Sequence, residues 1–373
     1  MFKQYKFKNY QFQLVLCMCA LTLIGIFVIG SARPDMQPKQ ILGFGLGLCF
    51  MVAVSLIDYS YLLKFPWFYY ALMIGLLISV ELWGKNVNGA QRWLELTEDG
   101  ITIQPSEFAK LAIIAFFAYF FTKYQENVSE LKCIFMAFAI VGVPLVFILK
   151  QPDLSTTIVT ALIFIALLFI TGLSYKIIVA VLAVVVPIVA VLLIYVIQLA
   201  KATDVTVPYQ LKRILAWLYP TDPRFSEIAL QQQNSIMAIG SGQLWGKGLY
   251  NSEATSMKNA NYILEPQTDF IFAVIGEELG FFGCAIVIIL LLLTVMQCIY
   301  IGSRAKDLQG KLFCCGMAAW IAFQSFVNIC VNTGLMPNTG LPLPFVSYGL
   351  SSIIAIYIGM GFVLNIGLQP RKY

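Results

Sequence analysis

The sequence contains no histidine. Its absence from all 373 residues excludes Ser-His-Asp triads, Cys-His dyads and HExxH zinc sites. Any proton transfer therefore has to involve carboxylates, lysine, arginine, tyrosine, hydroxyl groups or a bound cation.

Charged residues are also scarce, at 12% of the chain, whereas 60% of the residues are hydrophobic. A soluble domain typically has roughly 25% charged residues. With so little charge, the apolar surface cannot all be buried in one water-soluble core. The composition therefore predicts a polytopic helical membrane protein.

Apolar runs long enough to cross a bilayer, which takes about 20 residues, occur ten times. The expected spans are Gln11–Ser31, Gln40–Ile57, Leu63–Trp83, Pro105–Phe121, Cys133–Leu149, Leu154–Thr171, Lys176–Leu199, Phe270–Gly302, Phe313–Thr333 and Ser347–Leu368. We therefore expect an all-α integral membrane protein with a single domain over residues 1–373. A long extracytoplasmic loop at about 200–269 separates spans seven and eight.

The distribution of lysine and arginine predicts the orientation. Ten spans place both termini on one side, where the connecting segments carry twelve Lys and Arg residues against five in the short opposite loops. Because basic loops are retained inside, both termini are expected in the cytoplasm. The net charge of +5 is then a topology signal and not a sign of nucleic-acid binding.

The N-terminal run is interpreted as the first span, because it is too long for a signal-peptide core and lacks a small-residue cleavage site. All nine cysteines fall within predicted spans and none in the long loop. We therefore expect buried thiols and no disulfide framework.

The remaining polar residues gather at the outer ends of the spans. Glu107 and Lys110 share a helix face, which fits either an ion pair that snorkels to water or a charged pair lining a cavity. Asp153 begins span six, where a carboxylate serves as a helix cap or belongs to a site. Asp269 lies where the long loop meets span eight.

Other outer segments also carry unusual patterns. Glu277 and Glu278 are adjacent within span eight and point about 100° apart, so both cannot face one site. Segment 332–349 is rich in Pro and Gly and fits a re-entrant loop. The glycine-rich run 240–248 fails the Walker pattern, and it fits a diphosphate-binding loop or a plain turn. Residues 209–218 form a basic amphipathic stretch suited to the membrane interface.

Three acids and one lysine at the same depth exceed what helix capping requires. Acids held close together raise one another's pKa or recruit a cation. The cluster of Glu107, Lys110, Asp153 and Asp269 therefore fits a general base, a metal–diphosphate site or a proton relay. Residue chemistry alone does not choose among these three.

Several motifs, in their order along the chain, resemble the SEDS family (shape, elongation, division and sporulation), the group of RodA and FtsW. The matching stretches cover nearly the whole chain. They are Asn88–Trp93, Gln104–Glu107, Lys150–Asp153, Gln233–Ser235, Ala238–Gly242, Trp245–Gly248, Thr268–Gly280 and Thr339–Gly349.

The resemblance implies a peptidoglycan glycosyltransferase, an inverting enzyme that polymerises lipid II into glycan strands on the outer face of the bacterial cytoplasmic membrane. Undecaprenyl diphosphate is the expected leaving group. The implied partner is a class B penicillin-binding protein, a transpeptidase whose single membrane helix packs on spans eight and nine. The role lies in cell-wall synthesis for cell shape or division, and Lys150–Asp153 favours the RodA type.

The resemblance also implies roles for single residues. The family's essential aspartate falls on Asp269, which we expect to be the general base. Lys110, with Lys247 or Arg92, is expected to neutralise the leaving diphosphate. Glu107 and Asp153 are expected to orient Lys110 or to hold a divalent cation, Mg or Mn, and no organic cofactor is expected. The residues expected to contact substrate are Arg92, Trp93, Gln104, Ser106, Lys247, Glu265, Asn338, Thr339, Ser347 and Tyr348.

The chain departs from the family pattern before span eight and at span ten. Gln267 replaces the usual His, Leu264 replaces a Pro, and Leu350 replaces a second Gly after Ser-Tyr-Gly. The chemistry therefore falls to a carboxylate.

Two other functions compete with the polymerase. A lipid II flippase would need polar residues on both faces of the membrane, whereas the acids here cluster outside. A non-catalytic scaffold for the transpeptidase would not need Asp269. The polymerase is the preferred interpretation.

Overall fold

The computed structural model describes residues 10–87, 90–95, 102–173, 209–251, 256–259 and 262–369, together with single positions 179, 183, 187, 191, 194 and 198. Most of these residues are helical, which confirms the all-α class. The helices of the continuous ranges are α1 Phe12–Ala32, α2 Gln37–Leu56, α3 Tyr59–Leu62, α4 Pro66–Trp83, α5 Pro105–Lys123, α6 Leu131–Lys150, α7 Leu154–Ile170, α8 Tyr209–Leu218, α9 Ser226–Ser241, α10 Ile271–Ser303, α11 Leu308–Asn332 and α12 Leu350–Leu368.

Eight of these helices are long and apolar enough to cross a membrane, namely α1, α2, α4, α5, α6, α10, α11 and α12, and α7 is a shorter apolar helix. They coincide with nine of the expected spans, so the chain is a multi-pass membrane protein. The expected seventh span, Lys176–Leu199, lies outside the continuously described ranges. The count of ten therefore stays a prediction.

A small antiparallel sheet follows α4 and is absent from the sequence-based expectation. Strand β1 (Lys85–Val87) pairs with β2 (Ala90–Glu95), and β2 pairs with β3 (Thr102–Ile103). Backbone that leaves a helix needs other hydrogen-bond partners, and the strands supply them. Strands this short give no clear hydropathy signal. Because β2 contacts α4 and α5, the sheet marks one end of the bundle, called here the sheet end.

Helix α5 lies at the centre of the bundle, where it packs against α4, α7, α11 and α12. Buried residues occur all around its circumference, as expected for a helix surrounded by others. Phenylalanines fill its middle, and Phe117 meets Phe164 of α7 with ring centres 4.8 Å apart. This central position carries Glu107 and Lys110, in the first two turns of α5, into the interior.

Helix α10 is broken at Gly280, whose φ of 65° and ψ of −161° are non-helical. The glycine-rich run 240–248 packs against this break, because side chains at Gly242 or Gly246 would overlap the carbonyls of Gly276 or Glu278. Backbone hydrogen bonds join the two segments: Lys247 N to Glu277 O (2.9 Å), Gly248 N to Glu278 O (2.9 Å), Phe281 N to Gln243 O (2.9 Å) and Phe282 N to Leu244 O (3.3 Å). The run is therefore a packing element, and the N–H groups of Gly242, Gln243, Gly246, Lys247 and Gly248 are already bonded to protein carbonyls.

We expect Gly280→Ala to lower the stability by about 2 kcal/mol or more. Positive φ at a residue with a side chain costs about 1–2 kcal/mol, and the new Cβ would meet the backbone of Leu244 and Gly246. The measurement is the thermal midpoint of the monodisperse protein in detergent.

The matched control is Gly75→Ala in α4, where a new Cβ meets open space. This variant should be neutral or stabilised by up to about 1 kcal/mol. Equal midpoints for the two variants would contradict the role assigned to the break.

Candidate active site

Asp269 lies at the sheet end, two residues before α10 begins. Its backbone carbonyl accepts hydrogen bonds from the side-chain amides of Asn328 and Asn332 of α11, both at 2.9 Å. Asn332 Oδ1 in turn accepts the N–H of Ala273 in the first turn of α10, at 3.1 Å. Residue 269 is thus anchored through its backbone.

The carboxylate of Asp269 is partly buried and faces Arg213 of α8 across Gly340. A Cβ built on Gly340 would lie 3.2 Å from Asp269 Oδ2 and 3.1 Å from Arg213 Nη1. Gly340 also has a φ of 76°, which favours glycine. The loop predicted to be re-entrant therefore places Gly340 between the carboxylate of Asp269 and the guanidinium of Arg213, which are 56 positions apart in sequence.

Four charged side chains act on Asp269. The pKa of Asp269 is raised to about 6, and removal from water is the largest cause of this net shift. The positive charges of Arg213 and Arg92 lower this pKa, whereas the negative charges of Glu265 and Asp153 raise it further. A carboxyl group with a pKa in this range is ionised at neutral pH and is a stronger base than an ordinary aspartate.

Lys110 has no exposed surface and is fully engaged inside the bundle. Its Nζ donates hydrogen bonds of 2.7 Å to Glu107 Oε1 and to Gln324 Oε1. The ammonium also lies 4.8 Å from the centre of the Trp320 ring, whose Nε1 donates to the same Gln324 oxygen. The snorkelling alternative is therefore wrong, because the pair lies in the interior and does not reach water.

Asp153 caps a helix and also acts electrostatically on Asp269. Its Oδ1 accepts the N–H of Thr156 at 3.1 Å, so it caps α7, and its Oδ2 accepts the side-chain amide of Gln104 at 3.3 Å. Gln104 precedes α5, and its N–H donates to Ser351 of α12. The capping interpretation is therefore confirmed. Asp153 also raises the pKa of Asp269, and its role in a site stays a prediction.

Arg92 fixes the loop that leads into Asp153. Its Nε donates to the carbonyl of Gln151 at 3.2 Å, and its Nη2 donates to the carbonyl of Pro152. The guanidinium is thus tied to this loop while its charge acts on Asp269. Trp93 follows on β2, opposite Lys85, and is partly buried.

Lys247 lies in a second polar cluster, where its Nζ pairs with Glu277 at 2.9 Å. Glu278 pairs with Lys258 at 2.6 Å and accepts a hydrogen bond from Ser31 of α1. The adjacent glutamates therefore point to different partners, as expected from their spacing. They hold the connection between α9 and α10 against the broken helix.

The remaining predicted residues line the loops around Asp269. Glu265 accepts a hydrogen bond from Gln267, which stands at the position of the family's His, at 2.7 Å. Asn338 donates to Gln231 at 3.3 Å, and the Thr339 carbonyl accepts from Ser155. Ser347 and Tyr348 donate to the carbonyls of Thr268 and Gln267 at 2.7 and 2.8 Å.

Several buried side-chain oxygens have no hydrogen-bond partner within the described residues. They include Ser106 Oγ, Glu107 Oε2, Gln267 Oε1, Asn338 Oδ1 and Thr339 Oγ1, and the others lie on Ser60, Gln151, Glu278, Gln297 and Ser325. Buried polar atoms normally have a partner, so such atoms indicate where water or a ligand completes the hydrogen bonding. Four of these residues were predicted from sequence to belong to the site.

Sequence reasoning missed Arg213 and the amides of α11. Arg213 was assigned only to the polar face of an amphipathic stretch. Gln324, Asn328 and Asn332 are spaced by four positions and share one face of a buried helix. Such a polar stripe inside an apolar span was the signal that would have identified them.

The two carboxylates predicted to hold a cation have other partners. Glu107 is paired with Lys110, and Asp153 caps α7. Among the described residues no group of three His, Cys, Asp or Glu side chains has an arrangement suited to a metal ion. The binding of a divalent cation by Glu107 and Asp153 stays a prediction.

The fold and the site define a multi-pass membrane protein whose partly buried aspartate is held at the end of a helical bundle. The family model described as "Cell cycle protein", for FtsW, RodA and SpoVE, matches residues 8–372. The chain therefore belongs to the FtsW/RodA/SpoVE family, which confirms the SEDS resemblance.

Relatives in this family include proteins named probable peptidoglycan glycosyltransferase FtsW. The one from Pasteurella multocida is 37% identical over 308 residues, which are 82% of this chain and 73% of that protein. The one from Trichlorobacter lovleyi is 34% identical over 379 residues, which are 98% of this chain and 94% of that protein.

Two solved structures share the fold. One comes from work on the coordination of polymerization and crosslinking by a peptidoglycan synthase complex (TM-score 0.76, 27% identity, 96% of this chain and 97% of that chain). The other is the rod shape determining protein RodA of Thermus thermophilus (TM-score 0.68, 25% identity, 96% of each chain). The relatives are named FtsW, whereas the Thermus thermophilus structure is named RodA. The preference for the RodA type therefore stays a prediction.

We expect Lys110→Met to destabilise the protein by about 3–5 kcal/mol, because it leaves the Glu107 carboxylate buried without its counter-ion. The double variant Glu107→Gln with Lys110→Met should recover most of this loss, since it removes the uncompensated charge. The measurement is the thermal midpoint in detergent. A double variant as unstable as Lys110→Met would contradict the pairing.

Proposed function

We propose that the protein is a peptidoglycan glycosyltransferase that polymerises lipid II, with Asp269 as the general base. The observation that carries the proposal is the Asp269 carboxylate, which is anchored through its backbone at the sheet end and has a pKa of about 6. The relatives from Pasteurella multocida and Trichlorobacter lovleyi support it, because both are named probable peptidoglycan glycosyltransferases.

In the proposed reaction the 4-hydroxyl of one lipid-linked disaccharide attacks the anomeric carbon of another. Asp269 accepts the hydroxyl proton as the new C–O bond forms. The bond from the anomeric carbon to the diphosphate oxygen breaks with its electron pair, and undecaprenyl diphosphate leaves as the anomeric centre inverts. Partial removal of Asp269 from water makes its carboxylate a better proton acceptor.

The cations of the site divide into two groups. Arg92 and Arg213 act electrostatically on Asp269 and lie where they would also attract the anionic diphosphate of the substrate. Lys110 is enclosed by Glu107, Gln324 and Trp320. We therefore assign Lys110 to holding Gln324 in place, in preference to direct contact with the leaving group.

The sheet end is proposed to face outward from the bacterial cytoplasmic membrane, with both termini inside. The bias of Lys and Arg among the loops supports this orientation. A class B penicillin-binding protein is proposed to pack its membrane helix on spans eight and nine, where Phe281, Phe282 and Leu292 of α10 are exposed. Labelling of single cysteines at the termini by an impermeant maleimide checks the orientation, and crosslinking from residue 292 checks the contact.

We expect Asp269→Asn to lower glycan-strand synthesis by about 100-fold or more, since general base catalysis contributes about 100- to 10,000-fold. The substitution keeps the size of the side chain and the backbone anchors. The measurement uses purified protein in proteoliposomes with lipid II, alone and with the transpeptidase, and strands are resolved on gels.

The matched control is Asp222→Asn, which alters an aspartate paired with Arg224 at 2.8 Å on the same long loop. It should retain normal synthesis. Full synthesis by Asp269→Asn would contradict the base assignment. Movement of lipid II between leaflets without strands would indicate a flippase, and strands formed only by an added partner would indicate a scaffold.

A divalent cation is proposed to enter with the diphosphate of the substrate. The partners already held by Glu107 and Asp153 argue against a resident ion. An arm of the same assay with excess chelator decides the point, because strand formation that persists there excludes a required cation.

The rate of synthesis should rise as pH increases through about 6, because only deprotonated Asp269 accepts a proton. Arg213 lowers the pKa of Asp269, so Arg213→Gln should shift the midpoint of this rise to higher pH. Arg92 lowers the same pKa, whereas Glu265 and Asp153 raise it. The measurement is the initial rate between pH 5 and pH 8, ranges set by the expected midpoint of about 6.

The control for this profile is Lys212→Gln, which removes the neighbouring positive charge on α8. Lys212 is not among the charged groups that shift the pKa of Asp269. Its midpoint should equal that of the wild type. If the pH profile of Arg213→Gln coincides with that of the wild type, Arg213 does not influence the pKa of the catalytic Asp269.

A further inference from the structure

The segment that carries Asp269 is held at three consecutive carbonyl groups. The first two accept hydrogen bonds from the loop that precedes α12, and the third accepts them from α11. Gln267 O accepts from Tyr348 N (2.8 Å), Thr268 O accepts from Ser347 Oγ (2.7 Å), and Asp269 O accepts from Asn328 Nδ2 and Asn332 Nδ2 (2.9 Å each). The residue with the proposed base is the one whose carbonyl receives two donors.

Both asparagines tie Asp269 to a further element. Asn328 Nδ2 donates a second hydrogen bond, of 2.6 Å, to the carbonyl of Leu341 in the loop that also contains Gly340. Asn332 Oδ1 accepts the Ala273 N–H at the start of α10. One face of α11 therefore fixes Asp269 relative both to the loop with Gly340 and to the start of α10.

The same face of α11 continues to the buried ion pair. Gln324 lies one turn before Asn328, accepts the Lys110 hydrogen bond and donates to the carbonyl of Pro342 at 2.9 Å. All three amides are almost fully buried. Burying an amide in an apolar bundle is costly unless its hydrogen bonds are made, so an apolar residue would serve packing more cheaply.

We propose that Asn328 and Asn332 are positioning residues that hold the Asp269 carboxylate toward Gly340 for proton transfer. The proposal rests on the function proposed above, in which Asp269 reacts with the substrate. The amides touch the backbone carbonyl and leave the carboxylate for the reaction. Because a shift of about 1 Å at a reacting group can cost about 100-fold in rate, fixing this carbonyl has direct catalytic value.

The test compares Asn328→Leu with wild-type protein in the lipid II assay over the pH range used above. Leucine keeps the number and branching of the side-chain heavy atoms and removes both donated hydrogen bonds. We expect kcat to fall by about 10- to 100-fold with KM changed by less than about three-fold, because the substrate contacts remain. The midpoint of the pH profile should also move, because the carboxylate changes its distance to Arg213, Arg92, Glu265 and Asp153.

Two further variants separate positioning from stability. Phe326→Leu alters an exposed apolar side chain on another face of the same helix and should keep the wild-type kcat and pH profile. Asn328→Gln keeps an amide donor and should restore part of the lost kcat. If Asn328→Leu does not yield folded protein, Asn328→Ser, whose hydroxyl is too short to reach the carbonyl, takes its place beside Asn328→Gln.

A folded Asn328→Leu or Asn328→Ser variant with wild-type kcat and pH profile would overturn the proposal. A kcat that falls only in proportion to the amount of folded protein, with an unchanged pH profile, would also overturn it. These results leave the proposed function intact, because strand formation by the wild-type protein and the Asp269→Asn variant test that function separately.

Discussion

The buried ammonium of Lys110 is the constraint on which the sheet end of the bundle depends. A charge enclosed by apolar helices is tolerated only when it is paired and hydrogen-bonded, and here Glu107 and Gln324 supply those partners at 2.7 Å. Gln324 belongs to α11, so the charge on α5 fixes the position of a second helix. From there the polar face of α11 continues through Asn328 and Asn332 to Asp269. The placement of the candidate base thus follows from satisfying buried polar groups one after another.

The break in α10 supplies the second condition. A continuous helix would offer no free backbone groups at Gly280, and the run 240–248 would have nothing to pair with. Because the break exposes them, the connection between α9 and α10 is bound to the bundle along its backbone, and Glu277 and Glu278 reinforce it through Lys247 and Lys258. The long connection that ends at Asp269 is therefore held to α10 through Lys247 and Lys258 before Asp269, and α10 itself begins just after Asp269.

The spans could be predicted from sequence because burial in a bilayer depends on composition over about 20 residues, a purely local property. The spacing of Glu107 and Lys110 likewise gave their pairing, because a helix places positions three apart on one face. The approach of Arg213 to Asp269 could not be predicted in this way. It depends on how α8 packs and on a glycine at position 340, and neither is encoded in the neighbourhood of the two residues. The short sheet escaped for a similar reason, since its strands are defined by pairing and not by hydropathy.

The absence of histidine acquires a physical meaning at this site. An ordinary aspartate is a weak base at neutral pH, and histidine is the usual side chain with a pKa near 6.5. Here partial burial raises the pKa of Asp269 to about 6, which gives a carboxylate a proton affinity close to that of imidazole. Arg213 and Arg92 oppose this rise, and with their charges present the pKa of about 6 leaves the group ionised at neutral pH. Gln267 stands where the SEDS resemblance implies a histidine, and here it bonds to Glu265, so that position serves the loop. The proton-accepting capacity of the site therefore resides in a desolvated carboxylate whose strength is set by its neighbours.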